Sequence, residues 1–227
     1  YTRDVFSGQI KVGGGSDLYN ETVTPGYAYS YLLTGVLSSD YVDVTGDGIS
    51  SDDPGTAVKL NYTRTASAYR WRVPVKQNQA SYNEGRFSDT YDDKASLLYG
   101  DQETWYLHSV ETKNYVALFK ISKRKDGFGV HDIDGGRDTN YCQYKLDSIV
   151  LYAKFNGKIS STPIKIVKFV YDYSQCPGID NSINNGIDSG KLTLKEIIFI
   201  NGTSSKGYRN RYRFTYQNNY SYNMKSY

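Results

Sequence analysis

Five carboxylates crowd one short stretch of this 227-residue chain: Asp40, Asp43, Asp47, Asp52 and Asp53. No lysine or arginine lies between Lys11 and Lys59 to balance them. Like charges packed this closely repel one another unless solvent or a cation separates them. Calcium is the cation such a set suits, because it takes about six to eight oxygens from alternate positions of an acidic loop. In Asp43-Val44-Thr45-Gly46-Asp47-Gly48-Ile49 the spacing offers Asp43, Asp47 and the Ile49 carbonyl as ligands, with Asp52 or Asp53 to close the site. Pro54 stands where an EF-hand carries its bidentate glutamate, so the loop is of another kind. Two readings stay open: a calcium loop, and a solvated turn whose aspartates bond to their own backbone.

Other reactive chemistry is sparse. The second acidic stretch, residues 126–138, ends in Gly135-Gly136 and reads as a turn. His108 and His131 are the only histidines, and no Gly-x-Ser-x-Gly elbow is present. Gly13–Gly15 lack the lysine of a phosphate-binding loop. A glycosidase needs two carboxylates across a cleft, one with a raised pKa. No such pair stands out, and an enzyme is not expected. Trp71 and Trp105 have two readings, an aromatic platform for a glycan or core residues that alternate with apolar neighbours.

The elements that must position these groups read as strands. The chain holds 24 Tyr, 8 Phe and 21 Gly, a composition that favours strands joined by tight turns. An all-β fold is expected, with antiparallel hairpins stacked into a twisted sheet or β-sandwich. Residues 1–227 read as one module, with a subdivision at 1–100 and 101–227 as the variant. Tyr1 falls in mid-pattern, so the module is expected to be cut from a larger parent polypeptide. The net charge of +3 is small, and Lys123-Arg124-Lys125, the only basic run, reads as a solvated loop. Nucleic acid is therefore not an expected partner. No apolar stretch reaches the roughly 18 residues that span a bilayer.

Period-two alternation locates individual strands. In 69–75, Tyr69, Trp71, Val73 and Val75 share one face and Arg70 and Arg72 take the other, with Pro74 marking an edge or strand end. In 211–216, Tyr212, Phe214 and Tyr216 oppose Arg211, Arg213 and Thr215. A short element, Leu-x-x-Ile/Val, recurs at Leu33–Val36, Leu107–Val110, Leu146–Ile149 and Leu194–Ile197. Each copy precedes a polar loop and an alternating strand, at 58–62, 115–121, 167–171 and 212–216. Each reads as an antiparallel hairpin. An isolated hairpin is marginal in water, so the copies are expected to stack.

In the third hairpin, pairing Ile149 with Phe169 sets Cys142 opposite Cys176 at the open end. Opposed non-bonded pairs have Cα atoms about 4.5 Å apart, within reach of a disulfide. A Cys142–Cys176 bridge is expected, against the alternative of two small buried thiols.

The phrase SGKLTLKEIIFING…RYRFTY, preceded by IVKFVYDYS, resembles the hairpin-rich regions of very large secreted bacterial proteins of the Rhs type and the SpvB/insecticidal-toxin-complex-B type. The resemblance covers roughly residues 104–217, and YLLTGVLSSDYVDVTGDG before it looks similar. It implies a non-catalytic extracellular scaffold. The competing expectation is a calcium-assisted carbohydrate-binding module.

Overall fold

A computed structural model of the chain describes residues 2–6, 18–65, 68–82, 94–183, 189–204, 206 and 211–216. Fourteen strands follow in order: β1 (Thr2–Phe6), β2 (Leu18–Thr22), β3 (Gly35–Leu37), β4 (Ala57–Arg64), β5 (Tyr69–Val73), β6 (Ser81–Tyr82), β7 (Lys94–Gln102), β8 (Trp105–Glu111), β9 (Tyr115–Asp132), β10 (Gly135–Phe155), β11 (Lys158–Ile159), β12 (Lys165–Gln175), β13 (Lys191–Asn201) and β14 (Arg211–Arg213). The fold is all-β. A larger sheet has the order β14-β13-β12-β10-β9-β8-β4-β3, with β11 paired to β10. A smaller sheet has the order β2-β1-β7-β5, with β6 also on β7.

The four hairpins read from the repeated element are the larger sheet. They are β3–β4, β8–β9, β10–β12 and β13–β14, lying side by side in chain order. Val36 pairs with Val58, Ile149 with Val167 and Ile197 with Tyr212, so three copies share one register; Val110 pairs with Ala117. Paired residues point to the same face of a sheet. Following the pairs strand by strand puts Val36, Val110, Ile149 and Ile197 all on one face. The short repeat thus lays one apolar stripe across the sheet. A cut at residue 100 would run through this sheet, since β3 and β4 precede it and β8 to β14 follow.

β9 and β10 outrun their neighbours. β8 reaches β9 only at Val116–Leu118, and β12 reaches β10 only at Ser148–Leu151. Beyond these contacts the pair continues as a two-stranded ribbon to Asp132–Gly135, with register shifts near Leu146, Cys142 and Asp138. Such bulges increase the local twist and re-aim the strands. Lys123-Arg124-Lys125 therefore lies within β9 rather than in a loop.

The best-packed part of the molecule surrounds this ribbon. Asp126 to Val130 are buried without a break, which alternation cannot produce unless both faces are covered. β5 crosses one side so closely that a Cβ on Gly129 would sit 2.2 Å from the Arg70 carbonyl oxygen. On the other side the 179–183 segment bonds to β9, through Phe128 N–H to the Asn181 carbonyl (3.2 Å) and Ile183 N–H to the Lys125 carbonyl (2.8 Å). Arg124 forks onto the buried Asp126 carboxylate (2.9 and 2.7 Å), which also accepts the Leu192 N–H (2.8 Å).

The arginine face of β5 is not turned to solvent. Arg72 is 1% exposed, and Val73, on the aromatic face, is 42% exposed. Arg72 Nε donates to the Ile133 carbonyl (2.6 Å), and its terminal nitrogens donate to the carbonyls of Pro74, Lys76 and Gln79. Arg70 Nη1 donates to the His131 carbonyl (2.6 Å). The ribbon tip thus docks on the arginines, and main-chain oxygens take the place of water.

The expected disulfide is absent: Cys142 and Cys176 are free. Ile149 pairs with Val167 rather than Phe169, a shift of two residues, and the β10–β12 ladder stops at Ser148. Past that point β10 stays with β9 and β12 with β13, so the two thiols part company. Cys142 opposes Phe128, and its buried thiol lies against the carbonyls of Arg124 (3.2 Å) and Gln143 (3.1 Å). Cys176 follows β12 in a left-handed conformation, φ 50°.

Candidate functional site

The acidic stretch forms the turn of the first hairpin. Ser38 N–H bonds the Thr56 carbonyl (2.9 Å) and Val42 N–H bonds the Pro54 carbonyl (3.2 Å), which closes its neck. Gly55 permits this closure, because it has φ 87° and a Cβ there would meet the Asp40 carbonyl oxygen at 2.3 Å.

The aspartates turn mostly to local donors. Asp43 accepts the N–H groups of Gly46 (2.7 Å) and Gly48 (3.0 Å). Asp47 accepts the Thr45 hydroxyl (2.6 Å), and Asp52 accepts the Ser50 hydroxyl (2.5 Å). Asp53 is the anchor. Its carboxylate is buried and accepts the Tyr41 hydroxyl (2.7 Å), the Ser50 N–H (2.9 Å) and the Val44 N–H (3.1 Å). The Tyr41 bond, ahead of the opposing effect of burial, helps hold Asp53 down to about 2. Burial, with Asp53 beside it, pushes the Tyr41 hydroxyl up to about 12. The Ile49 carbonyl accepts the Lys59 ammonium (3.1 Å). The candidate calcium ligands therefore share one loop, but among the described residues no group of three or more His, Cys, Asp or Glu is placed to hold a metal ion.

The loop folds over a cleft of about 340 Å³ at the turn end of the larger sheet. Its floor is a set of side chains that share one face of neighbouring strands. Lys59 on β4 stands opposite Glu111 on β8, and Asn61 opposite Ser109. Glu111 is the centre. One oxygen accepts Asn61 Nδ2 (2.9 Å) and the Ser109 hydroxyl (3.1 Å), and the other accepts the Lys154 ammonium (3.0 Å). Burial raises the Glu111 pKa, but the Lys154 and Ser109 bonds outweigh it and leave the group below its usual range. Lys113, in the second hairpin's turn, donates to the Asp53 carbonyl (3.4 Å). Three ammonium groups face three carboxylates, Asp47, Asp53 and Glu111, so the cleft is polar and near neutral.

A general acid at neutral pH needs a raised pKa, and Asp53 and Glu111 are both lowered. His108 is exposed on β8, and His131 pairs with Asp138 (3.2 Å) at the ribbon tip, on the other side of the fold's packed region. The two tryptophans stand on different sheets. Trp71 is half-buried against Gly100, the residue paired with it, with ring atoms 3.3 Å from where a Cβ would be. Trp105 is 48% exposed at the start of β8 and donates to Glu103 (3.1 Å). They do not form one platform.

Lys59, Asn61, Glu111, Lys113 and Lys154 carry no sequence motif. Glu111 directly follows one copy of the repeated element, and that position is the one signal that could have pointed to it. Comparison with family models, with curated proteins and with solved structures finds no match.

Proposed function

We propose that the chain is a non-catalytic β scaffold module of a large secreted bacterial protein, working with the remainder of its parent polypeptide. The observation that carries this reading is the ordered row of four hairpins, whose outer strands β3 and β14 have no further strand paired to them among the described residues. Eight antiparallel strands form the path from β3 to β14, so the edge strands run in opposite directions. A further hairpin can join either edge without disturbing the antiparallel pattern. The edges are also apolar. Val36 and Leu37 on β3 and Tyr212 on β14 are more than half exposed, as are Tyr27, Tyr29, Tyr31 and Leu33 ahead of β3. Among the described residues eleven apolar side chains are buried and twenty-two large ones are exposed, a balance suited to a sheet completed by other parts of a larger protein. The secreted bacterial setting rests on the resemblance of residues 104–217.

The second reading is a carbohydrate-binding module, calcium-assisted or not. Half-exposed Trp105 and the polar cleft favour it. A titration of tryptophan fluorescence against a polysaccharide panel, with a hydrolysis assay on the same panel, separates the readings. The scaffold gives neither quenching nor turnover. Saturable quenching lost in Trp105→Ala would replace it with the carbohydrate module. Turnover lost in Glu111→Gln would overturn both.

A further inference from the structure

We propose that the cleft beneath the acidic turn binds a small molecule of monosaccharide size through one anionic group, a carboxylate or phosphate held by Lys59, Lys113 and Lys154. The inference goes beyond the scaffold reading and does not depend on it. Three observations carry it.

The first is bonding capacity. Formal charge is balanced across the cleft, but two of its carboxylates are well supplied with donors and the ammonium groups are short of acceptors. Asp53 accepts the Tyr41 hydroxyl and the N–H groups of Ser50 and Val44. Glu111 accepts Asn61, Ser109 and Lys154. A lysine ammonium carries three donors. Each of the three lysines directs one to the protein: Lys59 to the Ile49 carbonyl (3.1 Å), Lys113 to the Asp53 carbonyl (3.4 Å) and Lys154 to Glu111 (3.0 Å). The remaining donors are available to a ligand.

The second is how those charges are paired. Among the described residues, Lys154 alone of the three forms an ion pair, with Glu111. Lys59 and Lys113 each bond a neutral main-chain carbonyl instead, and the Lys113 bond is long. The three differ in depth. The Lys154 side chain is nearly enclosed at the floor, Lys59 is half-buried and Lys113 is exposed at the mouth. An oxyanion offers several lone pairs and makes charge-assisted bonds to such groups.

The third is size and lining. At about 340 Å³ the cleft is at the lower end of small-molecule sites, which run from about 300 to 1,000 Å³. A bare inorganic anion leaves most of it unfilled. The Ser51 hydroxyl and the second Asp47 oxygen also line it, and neither has a protein partner among the described residues. They suit ligand hydroxyls. Ile49, Ala57 and the Tyr41 ring supply the only large apolar surface in the lining. The body that carries the anionic group is therefore polar and hydroxylated, as in a sugar acid or a sugar phosphate.

The test is isothermal titration calorimetry of the purified chain with glucuronate, glucose 6-phosphate and glucose at low ionic strength. Trp105 lies at the far end of β8, roughly 20 Å from Glu111 at the rise of a strand, so tryptophan quenching by polysaccharides reports on a different place. At least one of the two acids is expected to bind one-to-one, about tenfold or more tighter than glucose, and to weaken as salt rises. The acid that binds identifies the anionic group as carboxylate or phosphate. Lys59→Met and Lys113→Met are each expected to weaken that binding by about tenfold. Lys113→Met, at an exposed position, should melt with the wild type, which shows that the loss is not unfolding. Failure of both acids to saturate the wild type would overturn the proposal and leave the scaffold reading in place. Glucose bound as tightly as the acids, or acid binding that both lysine variants retain, would overturn it too.

Discussion

Arg72 offers the sharpest perturbation of the fold. Its guanidinium is enclosed and faces four main-chain carbonyls, those of Ile133, Pro74, Lys76 and Gln79. Burial pushes the group down to about 10, so it remains charged at pH 7 and the carbonyl dipoles solvate it. In Arg72→Met those oxygens lose their donor inside the protein. A buried acceptor left without a partner costs about 1–3 kcal/mol, and a carbonyl that keeps another bond costs less. Four acceptors, less the relief of no longer burying a charge, give a net loss of about 3–5 kcal/mol, the range seen when a buried ionic network is broken from one side. Arg70, two residues away, is partly exposed, pairs with Asp101 (3.0 Å) and gives the ribbon tip a single bond, to the His131 carbonyl (2.6 Å), so Arg70→Met should cost less, about 1–2 kcal/mol. Urea denaturation gives both values, and hydrogen exchange locates the loss. Protection should fall at β5 and at Val130–Gly136 in Arg72→Met. A loss below about 1 kcal/mol there, or equal losses in the two variants, would refute the view that carbonyl solvation of Arg72 fastens the ribbon to the small sheet.

The remaining expectations concern the acidic turn and the thiols. Asp53 has a pKa depressed to about 2, so its contribution to stability is complete above the ordinary carboxylate range and is lost as pH falls through about 2. Acid denaturation of Asp53→Asn should lack the part of the pH dependence between about 4 and 2 that the wild type shows; identical curves would rule out the anchoring role. The aspartates are satisfied by local donors, so thermal melts with calcium and with chelator should coincide. A calcium-dependent rise that vanishes in Asp43→Ala with Asp47→Ala would instead establish a cation loop. Thiol titration of unfolded, unreduced protein should find two reactive groups, and in the native protein Cys142 should react slowly because burial raises its pKa. Finding none would restore the disulfide.

The hairpins were legible because two signals coincide, alternation within strands and recurrence of Leu-x-x-Ile/Val between them. Their order in the sheet followed chain order, which needed no further information. The register of the third hairpin was not legible. Residues 156–164 hold an extra two-residue strand, β11, against β10, and loop length alone does not reveal such an insert. The two-residue error kept every side chain on its correct face but misplaced Cys176. The buried arginines of β5 were hidden for a different reason. Alternating Arg reads as a solvent face, and only the tertiary approach of the ribbon tip supplies the carbonyls that make burial tolerable. The cleft depends on β4 and β8 being neighbours, although the whole of β5 to β7 separates them in sequence. Lys59 and Glu111 face each other only after that excursion has folded out of the way. The acidic turn was located by composition, but the choice between cation and hydrogen bonds rested on where each carboxylate points, and spacing does not encode that.

The central claim is that β3 and β14 are edges made to be continued. Hydrogen exchange of those two strands, measured in the dilute isolated chain and again in the full-length parent protein proposed above, tests it most directly. The amides of Gly35–Leu37 and Arg211–Arg213 are expected to exchange readily in the isolated chain and to become protected in the full-length protein, with β9 and β10 unchanged. Equally fast exchange of both edges in the full-length protein would contradict it.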